Sequence, residues 1–134
     1  MTRFIALTFV VLLVACMREA EMPTEADGLQ VFQDNCVMCH GSGGKGDGDA
    51  AQMMSPRPPD LTRIALRNRG VFPRAEVLSM IDGYTRPDVA GVDMPEFGDL
   101  LMGDTVPVDV GDGVLTPTPR PLAALMLYLE AIQK

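Results

Sequence analysis

The sequence predicts a small all-α domain, and three observations point that way. The chain has 134 residues, the size of one ordinary domain. Apolar residues recur at helical spacing in several short segments. No strand pattern is sustained: residues 106–114 alternate briefly, but proline and glycine interrupt them.

About four to five helices are expected. The first runs from about Glu25 into Cys36, with Leu29, Val31 and Phe32 at a spacing near 3.6. Residues 41–48, GSGGKGDG, hold five glycines in eight positions and read as a tight loop. A second helical piece covers 49–54 and stops before Pro56, Pro58 and Pro59. Residues 61–69 form a short helix. The next spans 74–82; it follows Pro73, turns Val77, Leu78 and Ile81 to one side, and ends at Gly83. Residues 84–118 read mostly as loop. The last helix starts near Pro121, with Leu122, Leu125, Met126, Leu129 and Ile132 as its apolar stripe and Tyr128 beside it. There is no internal repeat and no second domain boundary.

The N-terminal segment reads as a targeting signal. Met1-Thr2-Arg3 is a short positive region, followed by an almost continuous apolar run from Phe4 to Ala15. That run is shorter than the roughly 20 residues that span a bilayer. It ends in Leu13-Val14-Ala15-Cys16, which resembles a bacterial lipobox. The resemblance implies cleavage before Cys16, lipid on that cysteine, and an exported, periplasmic chain anchored to a bacterial membrane. The alternative is a plain signal peptide cut nearby. The expected organisation is therefore signal peptide 1–15, lipidated Cys16 with a polar tether to 26, and one domain over 27–134.

The net charge is −7, with eleven Lys and Arg against eighteen Asp and Glu. That balance excludes a basic nucleic-acid module. It fits either a partner with a positive docking patch or simple solubility.

The chemistry lies in Cys36-Val37-Met38-Cys39-His40. Two thiols three positions apart, followed at once by the only histidine, form a c-type haem attachment site. Each thiol adds to a vinyl group and the histidine sits next to the iron. A zinc site would need a second Cys or His pair, and the sequence has none. A thioredoxin-like dithiol would need a βαβ frame, and no such pattern is present. The glycine loop lacks the Lys-Ser/Thr of a phosphate loop and the closing Glu of a calcium loop. With Cys16 assigned to lipid and Cys36 and Cys39 to haem, no cysteine is left for a disulfide.

Together these residues resemble a bacterial monohaem class I c-type cytochrome over roughly residues 28–133. Gly28 to Phe32, followed by the CVMCHG run, is similar to the family's first helix and haem site. Gly44 to Gly48 resembles its glycine-rich loop, Pro59-Asp60-Leu61 its Pro-x-Leu, Met94-Pro95 with Phe97-Gly98 its methionine loop, and Leu127-Tyr128-Leu129 its last helix. The resemblance implies a small globule wrapped around one covalent haem. It also implies that Gly28 and Phe32 pack against Tyr128 where the terminal helices cross.

His40 and a methionine are the expected axial ligands, because a soft thioether suits low-spin iron. Met1, Met17 and Met22 lie outside the fold, Met38 sits inside the pentapeptide, and Met80 and Met126 fall on apolar helix faces. Met53, Met54, Met94 and Met102 remain. Met94 is followed by proline and sits in a loop after a helix, as in the family, with Met102 as runner-up. A ligating imidazole needs a second-shell acceptor. By resemblance that is the Pro59 carbonyl, with Leu61 packed on the porphyrin. Arg57, Tyr84 and Arg86 are candidate propionate contacts.

The function expected is non-enzymatic one-electron transfer between redox proteins, with the membrane reached through the anchor, no nucleic acid and no small-molecule substrate. Two other classes stay open: a haem subunit of a larger respiratory dehydrogenase or reductase, and a haem sensor or weak peroxidase with an open distal site. Residues 96–120 are longer than a compact family member needs and are expected to cover the haem edge or form a partner surface.

Overall fold

The computed structural model describes residues 21–84 and 94–134. Cys16, the signal-like segment and Arg86 therefore lie outside the described residues.

The first helix, α1, spans Glu25–Asn35. Thr24 and Asp27 close it with a reciprocal capping box: the Thr24 N–H donates to Asp27 Oδ2 at 2.7 Å, and the Asp27 N–H donates to Thr24 Oγ1 at 3.3 Å. The helix starts at Glu25, where the apolar spacing placed it. A four-residue helix, α2, follows at Val37–His40. Two 3₁₀ turns, Asp49–Met53 and Leu61–Arg63, lead to α3 at Ile64–Arg67. Helix α4, Arg74–Asp82, ends at Gly83, whose φ of 98° suits a residue without a Cβ. The last helix, α5, is Arg120–Ala131.

Helices α1 and α5 cross at the centre. A Cβ on Gly28 would collide with the Ala124 carbonyl and with Tyr128, so only glycine permits this approach. One turn on, Phe32 is fully buried and its ring lies 5.2 Å from that of Tyr128. Leu125, Met126 and Leu129 of α5 and Val77, Leu78 and Ile81 of α4 complete the same core.

One expectation needs correction. The fold is helical but not all-α, because the stretch read as loop contains an antiparallel hairpin, β1 (Thr105–Asp109) with β2 (Leu115–Pro119). The reason lies in parity. Pro107 pairs with Pro117, and Pro119 pairs with Thr105. All three prolines fall on alternate rungs of one set, so Val106–Thr118 and Val108–Thr116 remain as the rungs that can exchange hydrogen bonds. Val106, Val108 and Thr118 are buried. The hairpin thus closes the core from the side of α5, and the Arg120 N–H, donating to the Asp104 carbonyl at 2.8 Å, fixes the junction.

Among the described residues, no helix is long and apolar enough to cross a membrane.

Candidate functional site

Helix α1 stops at Asn35 because Cys36 ends one helix and opens the next. The Cys36 N–H donates to the Phe32 carbonyl at 2.9 Å, and its own carbonyl accepts from Cys39 at 3.2 Å and His40 at 2.9 Å. Residues three and four apart share a helix face, so both thiols and the imidazole come off one side of one turn. Cys36 and Cys39 are free thiols, each half-buried. Burial, and secondarily the neighbouring Cys39, pushes the Cys36 thiol up to about 11.

The glycine loop folds back onto this turn and satisfies its terminal carbonyls. The His40 carbonyl accepts from the Gly46 N–H at 2.9 Å, and the Cys39 carbonyl from the Gly48 N–H at 3.2 Å. Gly46 has a φ of 76°, and a Cβ there would collide with the Pro58 carbonyl. A Cβ on Gly48 would collide with the Met38 carbonyl. The loop is then pinned to the next segment by the Leu61 N–H, which donates to the Gly44 carbonyl at 2.7 Å.

His40 is 8% exposed, and its Nδ1 is buried without a close hydrogen-bond partner. Burial lowers its pKa; the Pro59 carbonyl, acting on the ring from further off, works the other way. The imidazole is therefore held neutral, the form that ligates a metal. Leu61, Ile64, Phe72, Met94 and Phe97 are half-buried and pack against the same core as Cys36 and Val37. Met94 is held near the end of α4, because Phe97 and Gly98 just beyond it donate to the carbonyls of Ile81 at 3.0 Å and Asp82 at 3.2 Å. Met102 and Met53 are 68% and 86% exposed; Met94 and Met54 are both half-buried, and of these two Met94 packs against the core.

Arg57 is exposed, and Tyr84 lines a groove between α4 and β2 that contains neither cysteine nor His40. Sequence reasoning missed Gln133. Its side chain donates to the Leu61 carbonyl at 2.8 Å and accepts from the Ala65 N–H at 2.9 Å, locking α3 to the end of α5. A polar residue just past an apolar helix carries no signal of such a role.

Among the described residues, no cluster of three or more His, Cys, Asp or Glu is placed to hold a bare metal ion. A covalent haem fits what is there: two unjoined thiols and a neutral imidazole on one face of a turn whose neighbours include half-buried apolar side chains. These features define a protein that carries covalently attached haem on a small helical frame.

The family model for cytochrome c matches residues 25–96, which hold the entire turn, its loop and Met94. The chain belongs to the cytochrome c family, and its cofactor is haem c. A comparison with curated proteins returns no match.

Bound haem supplies an iron that gains and loses one electron. Cys36 and Cys39 would fix it as thioethers, and His40 would hold the iron from one side. The glycine loop keeps His40 in place by bonding its carbonyl. Proteins of this family are in general electron carriers, and the site agrees with haem-based electron transfer.

Proposed function

We propose that this chain is an exported monohaem class I cytochrome that shuttles single electrons, with His40 and Met94 as axial ligands. The supporting observation is the sheltered seat of Met94 against the same core as the Cys36–His40 turn, while Met53 and Met102 project into solvent. A rigid ligand pair of this kind changes little between redox states, which favours transfer over bond-making chemistry. The Pro59 carbonyl would orient His40 through Nδ1.

The signal-like start and Cys16 support a periplasmic location and a lipid anchor, which would restrict the search for a redox partner to two dimensions. The partners would be redox proteins.

Carbon monoxide tests the carrier reading. The reduced protein should not change its spectrum under carbon monoxide, because a thioether fills the sixth position, whereas Met94→Ala should bind it. Binding by the unaltered protein would replace the carrier with a ligand-binding haem protein.

A further inference from the structure

The cations of this acidic chain are not spread evenly. Residues 57–71 contain four arginines, Arg57, Arg63, Arg67 and Arg69, against one acid, Asp60, in a chain of net charge −7. All four arginines are exposed, as are Leu66 and Val71, at 54% and 65%. Asp60 is the one acid within the patch: its Oδ1 accepts from the Thr62 N–H at 2.9 Å and the Thr62 hydroxyl at 2.6 Å, its carbonyl accepts from Arg67 at 2.9 Å, and its charge offsets only part of that of Arg63 and Arg67. Lys134 adds to the same end, since its N–H donates to the Thr62 carbonyl at 2.9 Å, and Lys45 flanks it from the glycine loop. Asp47 is the acid of that loop, and Asp49 opens the 3₁₀ turn after it. Of the two remaining described cations, Arg74 is paired with Glu130 at 2.8 Å and Arg120 donates to the Glu21 carbonyl.

Position gives this patch meaning. It is fixed to the C-terminal end of α5 through Gln133 and Lys134. The chain enters the fold at the other end, where Glu21 meets Arg120. Twelve helical residues separate the two ends, about 18 Å. A membrane reached through the N-terminus would therefore lie away from the arginines. The haem-attachment turn lies close to them, because Gly44 and Gly46 join it to Leu61 and Pro58. Arg69 also adopts a φ of 57°, a left-handed backbone that glycine or asparagine takes at lower cost.

We infer that this face, with Arg63, Arg67 and Arg69 around Leu66 and Val71, is where the acidic surface of a redox protein docks to exchange electrons with the haem. The inference rests on the carrier reading above. Charge complementarity would steer the encounter, and the exposed apolar pair would supply a dry centre to the contact.

The test uses the reduced, haem-loaded full chain and two one-electron oxidants. Hexacyanoferrate(III) is an anion and tris(phenanthroline)cobalt(III) a cation; each takes one electron from the ferrous haem and leaves it ferric. Despite the negative net charge, the hexacyanoferrate rate should fall as ionic strength rises from about 0.01 M to about 1 M. In the triple variant Arg63→Gln/Arg67→Gln/Arg69→Gln it should be at least about threefold slower at low salt. Poly-L-glutamate should slow the unaltered protein and not the triple variant. Asp104→Asn/Asp112→Asn, on the hairpin, should leave the rate near that of the unaltered protein. A hexacyanoferrate rate that rises with salt, or that ignores the arginine substitutions, overturns the docking face while leaving the carrier reading intact. Failure to reduce either oxidant strikes the carrier reading itself. If phosphatidylglycerol vesicles abolish the difference between the unaltered protein and the triple variant, the face belongs to lipid and the proposal falls.

Discussion

The Cys36–His40 turn and the β1–β2 hairpin are built on opposite principles. In the turn, backbone bonds run to near neighbours: Cys36 to Phe32, His40 to Cys36, Gly46 to His40. Each is dictated by residue type within a dozen positions. The hairpin has no chemistry of its own and is held by burial of Val106, Val108 and Thr118 against the rest of the fold. A site that performs covalent chemistry needs particular residues at fixed spacing, whereas a packing element needs only apolar side chains on the correct parity. The first leaves a motif in a sequence and the second does not.

The largest expected effect breaks the turn. Cys36→Ala/Cys39→Ala should abolish covalent haem, read as loss of haem-linked mass and of haem absorbance after denaturation. Survival of the attached haem would mean that other residues hold it. Glycines compare the two regions directly. Gly46→Ala introduces both left-handed strain and a collision with the Pro58 carbonyl, and should cost about 3 kcal/mol in denaturant unfolding. Gly111→Ala, on the hairpin loop, meets nothing within 4 Å; strain alone should cost about 1 kcal/mol. Equal costs would remove the distinction between a crowded functional loop and an open structural one.

The smallest effect concerns pH. Asp109 accepts from the N–H groups of Gly111 at 2.8 Å and Gly113 at 3.1 Å, and these bonds hold its carboxyl below the usual value of 3.8. The unfolded chain therefore takes up this proton first as pH falls. The contribution of Asp109 is complete above pH 3.8 and disappears as pH drops through the lower folded value. Asp109→Asn should flatten the acid limb of the stability profile slightly, and an unchanged limb would show that the loop bonds do not depend on charge.

Much of the fold was legible for local reasons. Leu122, Leu125, Met126 and Leu129 mark α5 by spacing, and Gly83 marks the end of α4 because it lacks a Cβ. The turn and its glycine loop were legible because their residue types are chemically constrained. The hairpin was not, because Pro107, Pro117 and Pro119 look like breakers until their common parity is known. The charged face around α3 was also hidden, since net charge averages over the surface and only the fold shows which arginines share an end.

Met94 stands between the two cases: its type and the proline after it are local, but its seat beside the core is tertiary. The absorption spectrum of the oxidised protein tests that claim most directly, through the weak red band that marks methionine bound to haem iron. The band should be present in the unaltered protein, absent in Met94→Ala and retained in Met102→Ala. Its persistence in Met94→Ala, with loss in Met102→Ala, would contradict the account.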